Sequence, residues 1–297
     1  MNNKIRAYIA PVTKLKKEDY RSLILAAIAE DKTNDDITTN SIFTKRKKVK
    51  SSLIARESGI LCGIKIFIDV FNIIDKKTLV QPNFIDGDSF NKGNVIALIE
   101  GDVKSILKSE RIALNFLSML SGISTKTKYA VDILNKYGIT ALDTRKTLPG
   151  YRILSKYAVY TGGGSNHRLN LAQMGLIKDN HIAAAGGIKN AIALFRKMYP
   201  KHKCEVEVET FSQLNDALPE RPEMIMLDNM NVKEIKHCVE VINKFNNKHK
   251  TSIICEASGG YNLSNLSTLA KSGVDFVSMG SLTNSITPLD FSLEFHE

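Results

Sequence analysis

Two strand-like runs, Cys204-Glu205-Val206-Glu207-Val208 and Met224-Ile225-Met226-Leu227, follow one another in the chain, and an acidic residue, Glu209 or Asp228, comes directly after each. Helical patterns flank the pair, at 188–198 and at 232–245. Short apolar runs predict buried strands, and their alternation with helices predicts parallel strands joined by crossover helices. In the first run we expect the valines to face surrounding helices and the glutamates to face the mouth of a barrel, because side chains alternate along a strand.

The same alternation extends to both sides, with further strand-like runs at 139–142, 175–177, 252–255 and 275–279 and a third helical pattern at 263–272. Six such units are compatible with an α/β barrel or with an open doubly wound sheet. Charged or small polar residues recur at or just beyond the predicted strand ends, which favours a barrel whose site lies at the carboxyl ends of its strands. A half-exposed edge strand would explain the alternating glutamates alone, but not all six units.

The first part of the chain has a different pattern of secondary structure. It predicts an α+β unit that ends near residue 108. The helical patterns lie at 20–30 and 64–74, capping residues lie at 35–39, and short strands lie at 51–55, 60–61, 78–80 and 95–100. Beyond it we expect a helix capped by Ser109 and interrupted at Ser121-Gly122. A second helix over 125–137 should be terminated by Gly138.

Composition narrows the class of protein. The chain has 297 residues, 43% of them apolar, and a net charge of +10. No apolar run is long enough to span a bilayer, and the lysine-rich N-terminus does not resemble a secretory signal, so we expect a cytoplasmic protein. The four cysteines are far apart and show no metal-ligand spacing, and the strand-like surroundings of Cys204 and Cys255 indicate buried thiols there. The basic run Lys45–Lys50 has no interleaved aromatic residues, so a solvated turn explains it better than a nucleic-acid patch does.

Positive charge is concentrated in Asp143-Thr144-Arg145-Lys146-Thr147-Leu148-Pro149-Gly150, Thr161-Gly162-Gly163-Gly164-Ser165-Asn166-His167-Arg168 and Ile177-Lys178-Asp179-Asn180-His181. Burying several cations together needs an anionic partner, and the planar fork of arginine pairs with carboxylates or phosphates. We expect the glycines to let the backbone approach a ligand. Farther on, Glu256-Ala257-Ser258-Gly259-Gly260 and Met279-Gly280-Ser281-Leu282 follow consecutive late strands, the place where such barrels bind phosphate.

These segments occur in order with Glu110-Arg111, Leu227-Asp228-Asn229 and Gly273-Val274-Asp275, and together they resemble the quinolinate phosphoribosyltransferase family over nearly the whole chain. The resemblance implies transfer of the phosphoribosyl group of phosphoribosyl pyrophosphate to quinolinate, giving nicotinate mononucleotide, pyrophosphate and carbon dioxide for NAD synthesis. It also implies an α/β chain with an N-terminal α+β domain (1–108), onto which the tail 288–297 folds back. An incomplete TIM-like α/β barrel (109–287) and a homodimer complete the expected architecture.

The resemblance also assigns roles to residues. Arg145, His167, Arg168 and Lys178 would line the quinolinate pocket, which Arg111 would enter from the neighbouring subunit. Thr144 would be a further substrate-binding residue. Lys146 would hold pyrophosphate, and Glu207 and Asp228 would bind the ribose hydroxyls and the Mg²⁺ that accompanies the substrate; the expected catalytic residues are Lys146, Lys178, Glu207 and Asp228. The 5′-phosphate would lie among six residues: Ser258, Gly259, Gly260, Met279, Gly280 and Ser281.

Other interpretations stay open from the sequence. Arg111 also fits a surface salt bridge, His167 also fits a core histidine, and His181 has no assigned role. An enzyme on the same scaffold that takes another acid, such as nicotinate, would need a similar set of cations. A basic RNA-binding protein using Lys45–Lys50 would instead show salt-sensitive affinity for nucleic acid and no dependence on Arg145.

Overall fold

The structure is a computed structural model, and it describes residues 9–296. The chain forms two compact units. Of the described residues, the first unit contains 9–11, Tyr129–Thr147 and Gly164–Asn284, and the second unit contains Val12–Lys128, Leu148–Gly163 and 285–296. Each unit is therefore assembled from separate stretches of the chain, whereas the sequence pattern predicts one division near residue 108.

Twelve strands lie within the described residues: β1 Lys48–Ala55, β2 Gly59–Ile60, β3 Leu79–Pro82, β4 Ser89–Phe90, β5 Val95–Asp102, β6 Thr140–Leu142, β7 Gly175–Ile177, β8 Cys204–Val208, β9 Met224–Asp228, β10 Ile254–Ser258, β11 Phe276–Ser278 and β12 Phe291–Phe295. Eleven α-helices accompany them in that part of the chain: α1 Arg21–Glu30, α2 Ile37–Ile42, α3 Ile64–Ile74, α4 Val103–Leu134, α5 Arg152–Thr161, α6 Asp179–Ala185, α7 Ile188–Met198, α8 Phe211–Ala217, α9 Val232–His249, α10 Leu266–Leu269 and α11 Ser281–Asn284. Short 3-10 turns lie at Lys17–Asp19, Thr33–Asp35, Asn135–Tyr137 and Leu218–Glu220.

The sheet of the first unit has six parallel strands in the order β6-β11-β10-β9-β8-β7. The strand that comes last in the sequence, β11, pairs with the strand that comes first, β6, so the order is cyclic. Its one interruption among the described strands lies between β6 and β7. Ser165 forms a parallel bridge with Leu142 of β6, on the side of that interruption. The arrangement is that of an incomplete α/β barrel, which confirms the fold class expected from the sequence.

The pairing register sets which side chains share the inner face of this sheet. Glu205 pairs with Met224, and Glu207 with Met226, in adjacent parallel strands. Because positions two apart point the same way, Asp228 lies on the same face, one pleat nearer the carboxyl ends. The alternating valines of β8 are fully buried on the other face, as predicted.

An apolar layer fills the first unit close to these strands. It is formed by the buried side chains of Leu142, Met174, Met224 and Phe276, with Ile9 and Ile254 packed against it. The polar side chains of the inner face are therefore stacked next to a hydrophobic layer. Water is excluded from that layer, so any charge beside it is strongly desolvated.

The second unit contains an antiparallel sheet in the order β12-β1-β5-β3 and a two-stranded ribbon of β2 and β4. The C-terminal strand β12 pairs with β1 from Ser51↔Phe295 to Ala55↔Phe291. Helix α3 covers the unit's core with an apolar face that includes Phe67 and Phe71. Lys48 and Lys50, in the second half of the basic run, belong to β1 and form ion pairs with Glu100 of β5, so only the first half of the run is a loop.

The predicted break between two helices near residue 121 is wrong. Helix α4 runs without interruption from Val103 to Leu134, and the hydroxyl of Ser109 donates to the carbonyl of Ser105 within it instead of capping it. Gly122 is needed for close packing: a Cβ there would lie 2.3 Å from the carbonyl oxygen of Thr287. The predicted stop at Gly138 is confirmed by its left-handed φ of 68°.

Two later boundaries also differ from prediction. Strand β10 begins at Ile254, because the side chain of Asn246 binds the preceding segment: its Oδ1 accepts the N–H of Ile253 at 2.9 Å and the hydroxyl of Thr251 at 2.8 Å. The helix predicted over 263–272 shrinks to the four residues of α10. Asn262 and Asn265 form side chain–backbone hydrogen bonds that compete with helical ones.

Within residues 9–296, no helix has both the length and the apolar character that a bilayer span requires. All four cysteines are free and buried, which confirms the prediction for Cys204 and Cys255 and extends it to Cys62 and Cys238.

Candidate active site

Two arginines of the first unit carry the clearest sign of an absent anion. The Nε atoms of Arg145 and Arg168 are buried, and neither has a hydrogen-bond partner among the described residues. Burial, followed by the positive charge of Arg145, lowers the pKa of Arg168. Two desolvated guanidinium groups that repel each other need negative charge nearby, and a carboxylate could accept the hydrogen bond of an unpaired Nε–H.

A lysine and a glutamate lie on neighbouring strands of the same sheet. Lys178, at the residue after β7, places its Nζ 2.6 Å from Oε2 of Glu207 on β8. Glu207 is 8% exposed, whereas the Lys178 side chain is 44% exposed, so the pair lies at the open end of the sheet. His181 accepts the backbone N–H of Lys178 with its Nδ1 at 3.0 Å, which fixes the start of α6. His181 thus orients the loop that carries Lys178.

The loop that carries Arg168 is held by a buried acid. Asp143, which follows β6, accepts the side-chain amide of Asn166 at 2.6 Å and the backbone N–H of His167 at 2.9 Å. Ser165 extends β6 through its bridge to Leu142. One of the preceding glycines is needed for packing: a Cβ at Gly162 would lie 2.3 Å from the carbonyl oxygen of Ser124. That the other glycines of this run let the backbone approach a substrate stays a prediction.

Two glutamates that the sequence assignment left out of the site lie inside the first unit with His167. Nε2 of His167 is 3.0 Å from Oε2 of Glu205 and 3.9 Å from Oε2 of Glu256, and both glutamates are fully buried. Burial raises the pKa of Glu205 and that of Glu256 to about 8. The prediction that the glutamates of β8 all face the barrel mouth is therefore wrong for Glu205. The two-residue alternation gives the face but not the depth of each side chain.

The two glycine-rich loops that we predicted as a phosphate site follow the adjacent strands β10 and β11. Gly259 has a φ of 109°, and a Cβ there would lie 2.8 Å from the backbone nitrogen of Asn229. Ser281 links the loops by donating its hydroxyl to the carbonyl of Tyr261 at 3.0 Å. Ser258 and Gly280 are partly exposed, as a binding surface requires. Met279 is fully buried, and its N–H donates to Leu142, so only its neighbours can offer polar groups to a ligand.

Lys146 reaches from the loop after β6 toward the loop after β11. A Cβ at Gly280 would lie 3.1 Å from Cδ of Lys146 and 3.6 Å from Oγ1 of Thr144, so the lysine stem lies directly against this glycine. The carbonyl of Lys146 accepts the buried hydroxyl of Thr283 at 2.8 Å, and its N–H donates to Thr144 at 3.0 Å. The exposed amino group is thereby brought beside the glycine-rich loops.

The remaining acid of the assigned set is Asp228, the last residue of β9. It accepts the side-chain amide of Asn229 at 2.7 Å and shares the inner face with Glu207. Carboxylate oxygens at an open strand end suit Mg²⁺ that arrives with a phosphate ester, because this ion keeps most of its other ligands as water and substrate oxygens. Arg111 lies on the exposed face of α4 in the second unit, so its assignment to the pocket of a neighbouring subunit stays a prediction.

Comparisons with known proteins agree on one family. Residues 36–121 match the family described as quinolinate phosphoribosyl transferase, N-terminal domain, and residues 123–294 match its C-terminal domain. A probable nicotinate-nucleotide pyrophosphorylase [carboxylating] of Methanocaldococcus jannaschii is 42% identical over 93% of this chain and 98% of its own. The corresponding Mycobacterium leprae protein is 36% identical over 92% and 96% of the two chains.

Solved structures give the same result. The nicotinate-nucleotide pyrophosphorylase of Francisella tularensis superposes with a TM-score of 0.91 at 35% identity, covering 97% of this chain and 99% of that one. Human nicotinic acid phosphoribosyltransferase has a TM-score of 0.62 at 12% identity over 95% and 74% of the two chains, a likeness that shows the fold alone. With both domains matched over most of their length, the chain belongs to the quinolinate phosphoribosyl transferase family.

Proposed function

We propose that this chain is a decarboxylating quinolinate phosphoribosyltransferase. It transfers the phosphoribosyl group of phosphoribosyl pyrophosphate to the ring nitrogen of quinolinate and releases pyrophosphate and carbon dioxide. Family membership supports the reaction, and one observation carries the assignment of the site: the buried, unpaired Nε–H groups of Arg145 and Arg168. A pyridine dicarboxylate offers these arginines the negative charge that they lack.

The two substrates fit different parts of the inner face. The carboxylates of quinolinate would be bound by Arg145, Arg168 and Lys178, while Thr144 borders this region. The 5′-phosphate would bind to the glycine-rich loops. Lys146, beside these loops, would hold the pyrophosphate. Since both substrates are anions, these cations remove the repulsion that would otherwise keep them apart.

Two carboxylates would lie beside the ribose that is transferred. We propose that Glu207 and Asp228 bind its hydroxyls and the Mg²⁺ that accompanies the pyrophosphate; the bound ion neutralises charge on the leaving group. The ribose gains positive oxocarbenium character as its bond to pyrophosphate breaks. Nearby carboxylates stabilise that charge, and the Lys178–Glu207 contact of 2.6 Å keeps one of them oriented.

Decarboxylation needs an acceptor for the electrons of the broken carbon–carbon bond. After nucleotide formation the pyridine nitrogen is cationic and lies next to the carbon that loses its carboxylate. The positive nitrogen stabilises the electron pair that stays on this carbon until a proton takes the place of the lost carboxylate, so we place carbon dioxide release after phosphoribosyl transfer. The protein's part is then to hold the ring and its second carboxylate in place.

We also propose a homodimer, in which Arg111 of one subunit enters the site of the other, and a cytoplasmic location. The first unit has exposed apolar side chains that a partner would cover, among them Leu171, Leu194 and Met198. Mixing inactive Arg111→Ala and Lys178→Ala proteins should restore part of the activity, because a mixed dimer contains one intact site. Subunit exchange without recovered activity would contradict the shared site.

The decisive assay supplies phosphoribosyl pyrophosphate and Mg²⁺ with either quinolinate or nicotinate. Release of carbon dioxide and formation of nicotinate mononucleotide from quinolinate alone would support the proposal, whereas turnover of nicotinate would favour the alternative acid. Arg145→Ala should lower kcat/KM for quinolinate about a hundredfold or more. Arg46→Ala is the matched control, since Arg46 is exposed in the basic run; an RNA-binding protein would respond to this change and not to the first.

A further inference from the structure

Asn229, the residue after β9, has a backbone conformation that few residues other than glycine adopt. Its φ is 54°, in the left-handed region, where asparagine is enriched because its cost there is low. The short connection to α9 accounts for the turn. Met230 is buried with its Sδ 3.8 Å from Sγ of Cys238 on α9, and Asn231 already caps that helix. Two residues thus link the strand to the helix cap, and the first of them is left-handed.

The turn alone does not account for the side chain. Glycine adopts a positive φ at no steric cost, so it would make the same turn. The amide of Asn229 forms contacts of its own: Nδ2 donates to Oδ2 of Asp228 at 2.7 Å. Its Oδ1 is packed against Gly259, where a Cβ would lie 2.5 Å from it. The side chain therefore contacts both the last residue of β9 and the loop that follows β10.

The backbone of Asn229 holds the same loop. Its N–H donates to the carbonyl of Ser258 at 3.1 Å, which continues the parallel pairing of β9 with β10 beyond Asp228. A Cβ at Gly259 would also lie 2.8 Å from this nitrogen and 2.9 Å from Cα of Asn229, so the two segments are in close contact. The loop Ser258–Gly260 thus begins directly against Asn229.

The two carboxylates at the open end of the sheet are held in different ways. Glu207 is paired with the cation of Lys178 at 2.6 Å, which compensates part of its negative charge. Asp228 accepts a hydrogen bond from a neutral amide, which orients the carboxylate and leaves its charge in place. More of that charge is therefore available to a bound cation, or to a ribose that becomes positive as its leaving group departs.

We propose that Asn229 is a positioning residue that fixes the carboxylate of Asp228 relative to the loop Ser258–Gly260. The inference rests on the proposed function, in which Asp228 binds the ribose and this loop binds the 5′-phosphate of the same substrate molecule. Ribose and 5′-phosphate are joined covalently, so the groups that bind them must lie at one separation to hold both at once. Setting that separation in advance lowers the entropy cost of binding.

Variants of Asn229 separate this role from that of a turn residue. Asn229→Gly keeps the turn and the backbone N–H but removes both side-chain contacts. Asn229→Asp keeps the shape and the tolerance for positive φ, but a carboxylate has no N–H to donate and repels Asp228. In both variants KM for phosphoribosyl pyrophosphate should rise roughly tenfold, the effect of losing a hydrogen bond to a charged group, while KM for quinolinate changes less than about threefold.

Lys250→Gly is the matched control for backbone freedom. Lys250 has a φ of 52° and lies at the other end of α9, at its C-terminal cap. This variant should keep both KM values of the wild type, and thermal melts check that all three variants fold. A turn residue alone would tolerate both glycine and aspartate at 229. Unchanged KM values in Asn229→Gly and Asn229→Asp, or an equal rise in KM for both substrates, would overturn the proposal.

Calorimetry without Mg²⁺ or quinolinate tests the same geometry apart from turnover. The probes are ribose 5-phosphate, which needs both Asp228 and the loop, and inorganic phosphate, which needs the loop alone. Asn229→Gly should bind ribose 5-phosphate roughly tenfold more weakly than the wild type, and inorganic phosphate within about threefold of it, because the backbone N–H to Ser258 is retained. Equal affinity of wild type and variant for ribose 5-phosphate would contradict the role of the side chain.

The two experiments also separate failure of this inference from failure of the proposed function. Turnover of quinolinate by the wild type, together with equal ribose 5-phosphate affinity in wild type and Asn229→Gly, would refute the inference alone. Weaker binding of ribose 5-phosphate by the variant, in a chain that does not turn over quinolinate, would support the positioning of Asp228 and refute the proposed reaction. A wild-type chain that binds neither probe would refute both.

Discussion

Two adjacent glycines allow a matched test of the proposed phosphate site. Gly259 and Gly260 both have positive φ values, 109° and 63°. A Cβ at Gly259 would lie 2.5 Å from Oδ1 and 2.8 Å from the backbone nitrogen of Asn229, whereas a Cβ at Gly260 would have no atom within 4 Å. Gly259→Ala and Gly260→Ala therefore share backbone strain and differ in steric overlap.

The magnitude follows from these two terms. An alanine at positive φ costs about 1–2 kcal/mol, and this applies to both variants. The overlap at Gly259 involves backbone atoms that cannot rotate away, and relief of such overpacking typically costs about 1–3 kcal/mol more. If the loop moves away from Asn229 to relieve it, the difference between the variants corresponds to a factor of about 5 to 150.

Steady-state kinetics with phosphoribosyl pyrophosphate as the varied substrate measures this factor. We expect kcat/KM for that substrate to fall much further in Gly259→Ala than in Gly260→Ala, while KM for quinolinate changes less. A thermal melt of both variants checks that the loss is not unfolding. Equal kinetics in the two variants would refute the reasoning, because it would mean that the Asn229 contact does not set the position of the loop.

Three further predictions concern stability. The free energy of unfolding should fall as pH rises from about 4.5 to about 8, by up to a few kcal/mol for this group. Burial raises the pKa of Glu256 to about 8 in the folded state, so over this range the folded chain still holds a proton that the unfolded chain has lost. Denaturant titrations of wild type and Glu256→Gln should therefore converge at low pH and diverge as pH rises. Gly122→Ala should lower the melting temperature, with a cost of about 1–3 kcal/mol, because its Cβ would overlap the Thr287 carbonyl; an unchanged melt would show that this segment can retreat. Thr210→Ala should cost about 1 kcal/mol by removing the cap that accepts the Gln213 N–H of α8, and Thr210→Ser, which keeps the hydroxyl, should restore it in the same urea titration.

Periodicity predicted the strands of the first unit well, because apolar runs there are short and bounded by turn residues. The run Cys204–Val208 was assigned without error, and its alternation gave the correct face for the valines. It could not distinguish Glu205 from Glu207. Their difference in depth depends on the pairing with β9 and on the apolar layer beside them, and both are contacts between distant parts of the chain.

Glycine was the least reliable signal. Gly138 ends a helix as predicted, whereas Gly122 lies within one and Gly162 packs against a helix backbone. The same residue type marks a left-handed turn or a close approach between segments, and sequence alone does not separate these uses. The roles assigned to Arg145 and Arg168 stay predictions, which their buried Nε–H groups without hydrogen-bond partners support.

The pairing of β12 with β1 joins residues that are far apart in the sequence. Oγ of Ser52 lies 2.7 Å from Nε2 of His296, which is 244 positions away. Forming such a contact requires closure of a very long loop, so this edge of the sheet should be among the last parts to assemble. Until then β1 exposes unpaired backbone groups that can recruit a strand from another molecule. Recovery from denaturant should therefore depend on protein concentration, with dilution favouring the native chain over aggregates.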